Sequence, residues 1–167
     1  MENTDTSVIG ENGVAMSAMM TDPNQFEFYA ADHLPSAKFW GFNVAALGAE
    51  GCVVKLPYSK NATNPFGSLY FAAMAGAGEL STGALCLICT ADRGSWSTLV
   101  VDFRAEYYKK VSTIASFECN QTDELIATLD EVERSGEPKT LEMISIGYNE
   151  DRDIIAKIFV TWSFKKR

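Results

Sequence analysis

The stretch from Asn64 to Ile88, NPFGSLYFAAMAGAGELSTGALCLI, limits the possible folds of this chain most strongly. It is almost entirely apolar or small, and Glu79 is its only charged residue. A helix that is apolar on most of its surface must be covered on most sides by other elements. An unpaired buried carboxylate is costly, so Glu79 must be exposed, paired or functional.

Length and charge narrow the class of protein. The chain has 167 residues, which suits one domain, and a formal net charge of -8, which argues against nucleic acid as a partner. The opening residues MENTDTSVIGENG lack the basic start of a signal peptide, and the apolar stretch is interrupted by glycines and polar residues. We therefore expect a loosely held or disordered segment at 1–13, a single domain at 14–167, a cytoplasmic location and no membrane partner.

Sequence periodicity indicates an α+β fold with an antiparallel sheet. The expected elements are one or two short helices within 15–32, strands at about 42–47 and 52–58, a long helix at about 68–89, a strand that alternates over 99–108, a strand near 112–119, an amphipathic helix at 122–136, and two final strands joined by a turn at 149–152. Short turns between successive strands require antiparallel pairing. A curved sheet of about six strands wrapped around the long helix would cover its apolar surface.

Helix geometry places small residues around Glu79. The positions three, four or seven residues away are Ala72, Ala75, Gly76, Thr82, Gly83 and Cys86. A helical glycine costs about 1 kcal/mol relative to alanine, so the glycines need a reason. Two interpretations stay open: another element packs closely against this face, or the face forms a narrow slot for a substrate.

The cysteines and the single histidine predict neither a metal site nor a cofactor. Cys86 and Cys89 form a CxxC pair, but no second pair follows and both lie among apolar residues at helical spacing. We interpret the four cysteines as buried structural thiols. His33 lies far away in sequence, next to a turn-like segment, and we interpret it as structural.

Several segments together carry a resemblance to a known family. They are the stretch from Pro35 to Gly41, a hairpin that ends in KLPY, the segment NPFGSLYFAAMAGAGEL and the closing TWSFKKR. The most specific piece is Asn64 followed fifteen residues later by Glu79, with Gly67 and Ser68 between them. From about Pro35 to its end, the chain resembles hot-dog fold proteins of the thioesterase superfamily, closest to an uncharacterised branch. The resemblance implies a curved antiparallel sheet around one long central helix, and a homodimer or dimer of dimers with sites at the dimer interface.

The resemblance also implies an acyl-thioesterase that acts on acyl-CoA or acyl-carrier thioesters. Glu79 matches the acid of the family and would be the general base or the nucleophile. Asn64 would orient the water or the thioester, or would only shape a turn. The implied substrate-binding residues are Gly67, Ser68, Tyr70, Phe71, Ala72, Gly76 and Gly83.

This sequence departs from the family at one motif. Tyr70-Phe71-Ala72 stands where better-known relatives have His-Gly-Gly. Backbone N–H groups at this helix start would still be able to hold the carbonyl oxygen. The missing motif favours an alternative, a non-catalytic acyl-binding or scaffold protein, whereas the small residues around Glu79 favour the enzyme. Lys109-Lys110 and Lys165 to Arg167 are the candidate contacts for the phosphates of coenzyme A.

Overall fold

A computed structural model of the chain describes residues 8–167. The elements are α1 (Glu11–Thr21), α2 (Pro23–His33), α3 (Pro35–Trp40), β1 (Asn43–Gly48), β2 (Gly51–Leu56), α4 (Phe71–Thr90), β3 (Trp96–Tyr107), β4 (Ala115–Cys119), α5 (Thr122–Ser135), β5 (Lys139–Tyr148) and β6 (Ile154–Lys166). The six strands form one sheet in the order β1-β2-β4-β5-β6-β3, and every pairing is antiparallel. The α+β fold with an antiparallel sheet is as predicted.

The central helix α4 lies against the inner face of this sheet. Its contacts reach β2, β4, β5 and β6. The Ser81 hydroxyl donates to Ser145 Oγ on β5 at 2.7 Å, and a Cβ atom on Gly78 would lie only 2.5 Å from Ile158 Cγ1 on β6. By length and composition α4 would be sufficient to cross a membrane, but 61% of its most apolar window is buried within the fold. The prediction of one long helix wrapped by a curved sheet is confirmed.

The helix begins later than its sequence suggests. The prediction placed its start near Ser68. The structure starts the helix at Phe71, and its N-cap, Tyr70, makes no side-chain hydrogen bond to the helix. The residues before it form a loop instead.

Three helices precede the sheet, and they contribute to the covering of α4. α1 contacts both β1 and α4, and α3 also contacts α4. With α5, the described residues contain four helices besides α4, and α3 lies in a stretch for which the sequence predicted no helix. The predicted boundary at residue 13 lies inside α1, where Gly13 is buried; residues 1–7 of the expected loose segment lie outside the described residues.

The carboxylate of Asp92 connects α1 to the end of α4. It accepts hydrogen bonds from the backbone N–H groups of Gly13 at 2.9 Å and Asn12 at 3.1 Å, and from the Asn12 side chain at 2.8 Å. These first-turn N–H groups have no partner within their own helix, so an acid from elsewhere in the chain takes the place of a local cap.

Strand β3 contains a bulge that the alternating sequence hides. Val100 pairs with Trp162 and Asp102 pairs with Thr161, so Val101 is an extra residue between them. The alternation over 99–108 predicts that Leu99, Val101 and Phe103 share one face, and the bulge makes this prediction wrong. Before the bulge, Val100 takes the inner face and Leu99 is 63% exposed.

We predict that Asp92→Ala loosens α1 from the end of α4. The hydrogen bonds to the carboxylate hold the pKa of Asp92 below its usual value of 3.8, and the bond from the Gly13 N–H has the largest effect. Because the folded-state pKa is the lower one, this stabilisation is complete above pH 3.8 and is lost as the pH falls through the folded value. Hydrogen exchange at neutral pH should be faster at the amides of Asn12 and Gly13 in the variant than in the wild type. The control is Asp102→Ala, since the Asp102 carboxylate makes no hydrogen bond or ion pair within residues 8–167; equal protection in all three proteins would contradict the prediction.

Candidate active site

A cavity of about 210 Å³ lies beside α4 where the sheet and the N-terminal helices meet. The lining residues are Met20, Tyr29, His33, Leu34, Glu79, Leu80, Gly83, Cys86, Leu87, Thr90, Thr98 and Trp162. Met20, Leu80, Cys86 and Trp162 are buried, whereas His33, Leu87 and Thr98 are exposed. The cavity is therefore an apolar pocket whose exposed rim is formed by α2, α4 and β3.

Glu79 is the one carboxylate in the wall of this cavity. Within residues 8–167 its side chain has neither a hydrogen bond nor an ion pair. Burial disfavours the charged form and raises the pKa of the Glu79 carboxyl above its usual value of 4.5. An unpaired and partly desolvated carboxylate of this kind suits proton abstraction better than an exposed one does.

Gly83 allows two groups to approach each other beside α4. A Cβ atom at this position would lie 3.3 Å from Glu79 Oε1 and 3.3 Å from Trp162 Cζ2, which is tighter than ordinary contact. The indole N–H of Trp162 donates to Thr82 Oγ1 at 2.9 Å and so fixes the ring against the helix. The small residues around Glu79 therefore fit both interpretations, close packing and an open slot. The indole ring packs closely against them, and a cavity remains beside it.

Tyr29 and His33 are cavity residues that the sequence analysis missed. They lie one turn apart on α2, and their ring centroids are 4.7 Å apart. His33 was interpreted as structural, but its ring lines the cavity of Glu79. No sequence signal was available to find it, because 46 residues separate it from Glu79 and only the folded chain brings α2 beside α4.

Asn64 shapes the loop before α4. Its Oδ1 atom accepts from the N–H of Phe66 at 2.9 Å, and its Nδ2 atom donates to Leu69 O at 3.2 Å and Ser68 Oγ at 3.0 Å. Gly67 takes a positive φ of 70° in this turn. The amide of Asn64 is thus engaged locally, and its predicted role in orienting a water or a thioester stays a prediction.

The remaining predicted site residues lie toward the start of α4. Tyr70 and Phe71 are exposed there, and Ala72 is half-buried. Gly76 faces Trp40, since a Cβ atom on it would lie 2.9 Å from Trp40 Cζ3. Of the predicted site residues, the structure brings together Glu79 and Gly83 in one cavity; the substrate contacts assigned to the others stay predictions.

The four cysteines are buried and free, as expected for structural thiols. Cys52 on β2 lies opposite Cys119 on the neighbouring strand β4. Burial raises the pKa of Cys89 and that of Cys119 to about 11. Their thiolates are therefore disfavoured near neutral pH, which makes them poor nucleophiles.

We predict that the stability cost of Glu79 depends on pH. The pKa of Glu79 is raised by burial above 4.5 in the folded state, so below pH 4.5 the acid is protonated in both states and costs little. As the pH rises from 4.5 to the folded pKa, the unfolded chain ionises before the folded one, so the folded state loses stability, and the loss is complete above the folded pKa. Urea unfolding at about pH 4 and about pH 7 should show Glu79→Gln gaining stability over the wild type as the pH rises. Glu50→Gln, in the exposed turn between β1 and β2, is the control; a difference between Glu79→Gln and the wild type that stays constant with pH would contradict this.

Comparison with known proteins finds similarity in structure. No family model matches the chain, and no curated protein matches its sequence. A protein of unknown function from Pseudomonas aeruginosa, described as a probable thioesterase, superposes with a TM-score of 0.74 at 14% identity, over 89% of this chain and 99% of that one. A thioesterase from Haemophilus influenzae gives a TM-score of 0.64 at 12% identity, over 87% of this chain and 94% of that one.

A third structure extends the same similarity. A protein of unknown function from Chlorobaculum tepidum gives a TM-score of 0.73 at 17% identity, over 90% of this chain and 99% of that one. Together with the six-stranded antiparallel sheet wrapped around α4, these superpositions establish the fold. The chain has the hot-dog fold.

Proposed function

We propose that this protein is an acyl-thioester hydrolase with Glu79 as its general base or nucleophile. The observation that carries the proposal is the position of the Glu79 carboxylate in the wall of an apolar cavity of about 210 Å³. Within residues 8–167 this carboxylate has neither a hydrogen bond nor an ion pair. Apolar cavities with a few polar groups and a perturbed titratable residue are the usual form of small-molecule sites. Thioesterases with the same fold support this choice of reaction.

The Glu79 carboxylate can promote thioester hydrolysis in either of two ways. As a general base, the Glu79 carboxylate takes a proton from water while the water oxygen attacks the thioester carbonyl carbon. The C–S bond then breaks, and the proton passes to the departing sulfur, which leaves a carboxylic acid and a thiol. As a nucleophile, Glu79 itself attacks the carbonyl carbon, the C–S bond breaks, and the thiolate leaves and takes a proton from solvent. Water then cleaves the resulting anhydride, which releases the carboxylic acid and restores Glu79.

The cavity suggests where the acyl group lies. Glu79, Gly83 and Thr90 follow one side of α4, and Thr90 lies eleven positions after Glu79, a rise of about 16 Å along the helix. A cavity of about 150 Å³ can hold benzene, and one water molecule takes about 30 Å³ of liquid. The volume of about 210 Å³ therefore accommodates about seven non-hydrogen atoms, which corresponds to a medium acyl chain.

A second copy of the chain would extend the site. The start of α4 lies eight residues before Glu79, or about 12 Å along the helix axis, so its N–H groups do not reach a carbonyl beside Glu79 of the same chain. β3 pairs only with β6 and presents Leu99, Val101 and Phe103 with 43% to 63% exposure. Such an edge is suited to strand pairing, and pairing would bring elements of two copies together. We therefore include a homodimer, or a dimer of dimers, in the proposal.

The acyl carrier is proposed only as coenzyme A or a carrier protein. The two predicted basic segments are partly neutralised by acids. Lys109 pairs with Asp153 at 2.9 Å, and Lys166 pairs with Glu133 at 2.6 Å. Lys110 Nζ donates to Phe66 O at 2.5 Å, beside the loop that precedes α4.

A second candidate function is acyl binding without hydrolysis. The locally engaged amide of Asn64 and the absence of glycines at 70–72 favour it, because both remove groups that would act on a carbonyl. The cavity would then hold an acyl chain, and Glu79 would contribute no chemistry.

We predict that Glu79→Gln lowers thioester hydrolysis by about 100-fold or more, the usual scale for a lost general base. The amide keeps the size of the side chain and removes its basicity, so the fold is expected to survive. Thiol release from acyl-CoA substrates would measure the loss, with Glu50→Gln as control. Nearly unchanged turnover in a folded Glu79→Gln protein would rule out the mechanism, and no turnover by the wild type on any acyl-CoA or acyl-carrier thioester would favour the binding function.

We predict that kcat/KM rises from acetyl-CoA to medium chains of about eight carbons. Each buried methylene is worth about 0.8 kcal/mol, or about fourfold in kcat/KM. Thr90→Leu should fill the far end of the cavity and lower activity on octanoyl-CoA more than on acetyl-CoA. Gly83 is a poor place for this test, since a side chain there would press on Glu79 itself.

Thr128→Leu is the matched control for Thr90→Leu. Both hydroxyls donate to the carbonyl four residues earlier in their helices, Thr90 at 2.7 Å and Thr128 at 2.8 Å, and both threonines are half-buried, Thr128 on α5. If Thr90→Leu lowers activity on every chain length equally, the cavity does not hold the acyl chain.

We predict a homodimer or a dimer of dimers at micromolar concentration. Pairing through β3 would bury its exposed apolar side chains, so Val101→Lys on this strand should weaken association. Light scattering measures the mass. A monomeric wild type would contradict both the assembly and a site shared between copies.

A further inference from the structure

We propose that His33 is a further catalytic residue, whose imidazole N–H donates to the thioester carbonyl oxygen as negative charge develops on it. This inference rests on the proposed hydrolase function and assigns a role that the shared fold does not supply. It depends on the position of α2 above the cavity of Glu79.

The carbonyl oxygen needs a hydrogen-bond donor close to the carbon that is attacked. Donors in such a role lie about 2.7–3.1 Å from the oxygen. Within one chain the start of α4 is about 12 Å from Glu79 along the helix, so the donor that the same chain can offer to a carbonyl beside Glu79 lies in the cavity wall.

Two hydrogen-bond donors of the wall are already engaged. The Thr90 hydroxyl donates to Cys86 O at 2.7 Å, and the Trp162 indole N–H donates to Thr82 Oγ1 at 2.9 Å. The side chains of Tyr29, His33 and Thr98 make no hydrogen bond within the described residues 8–167. These three are the donors that remain for a ligand.

His33 is the best suited of the three. An imidazole keeps at least one N–H donor in both of its protonation states, and a charged donor is about twice as strong as a neutral one. The ring is positioned by the Tyr29 ring, 4.7 Å away between centroids, and it is exposed at the rim where a thioester would enter. The titratable groups that share the cavity with it are Tyr29 on its own helix and Glu79 and Cys86 on α4; β3 and β6 contribute Thr98 and Trp162, which carry no charge.

The kinetic test compares His33→Ala, His33→Gln and the control Asp32→Asn, which changes the neighbouring exposed residue of α2. Removing one oxyanion donor costs about 100-fold or more in kcat, so His33→Ala should lower kcat on octanoyl-CoA by about that factor and leave KM nearly unchanged. Gln has an amide donor and should restore part of kcat, which a purely structural role would not require. A kcat of His33→Ala within about twofold of the wild type overturns the proposal.

A second test does not depend on turnover. His33 is the only histidine in the chain, so its ring gives a single set of NMR signals. The probe is an octanoyl-CoA analogue in which a methylene group replaces the thioester sulfur and the carbonyl is kept. Binding should shift both the His33 ring signal and the indole N–H signal of Trp162; a shift of Trp162 without His33 overturns the contact.

The two proposals fail in distinguishable ways. Glu79-dependent hydrolysis with an indifferent His33 overturns only this inference. If the wild type hydrolyses no thioester and the analogue shifts neither signal, the proposed function is overturned, and the role of His33 with it.

Discussion

One constraint shapes this structure: a helix of 20 residues with a single charge must be kept from water on nearly every side. The sheet covers most of α4, and the helices before the sheet contribute to the rest. One side of α4 is completely covered neither by the sheet nor by these helices, and Glu79, Gly83 and Thr90 lie along it. The carboxylate and its cavity therefore lie where the two coverings meet.

The same burial that costs stability gives Glu79 its proposed chemistry. A carboxylate with an ion-pair partner would be less costly and also less basic. Gly83 keeps the space beside the carboxylate open, and Trp162 closes one side of it without supplying a charge. The fold thus keeps an acid without an ion-pair partner in an apolar wall. Such an acid lowers the stability of the folded state, and its raised basicity suits a general base or a nucleophile.

Local patterns predicted much of the fold and only part of the candidate site. The uncharged run around Glu79 identified the central helix, and short turns identified the antiparallel sheet. The bulge at Val101 escaped, because an inserted residue leaves the alternation of the sequence intact and reverses only the faces. His33 escaped because its proximity to Glu79 depends on how α2 docks beside α4. Asn64 was identified through the family resemblance, yet its hydrogen bonds depend on the fold of the loop around it.

The pH dependence of kcat/KM on a medium-chain acyl-CoA tests the central claim most directly. If Glu79 acts as a base or nucleophile in the free enzyme, activity requires its deprotonated form. Because burial raises the pKa of Glu79 above 4.5, kcat/KM should fall on the acid side with a midpoint above that value. A profile that stays flat as the pH falls to 4.5, in a protein that remains folded, would contradict the account.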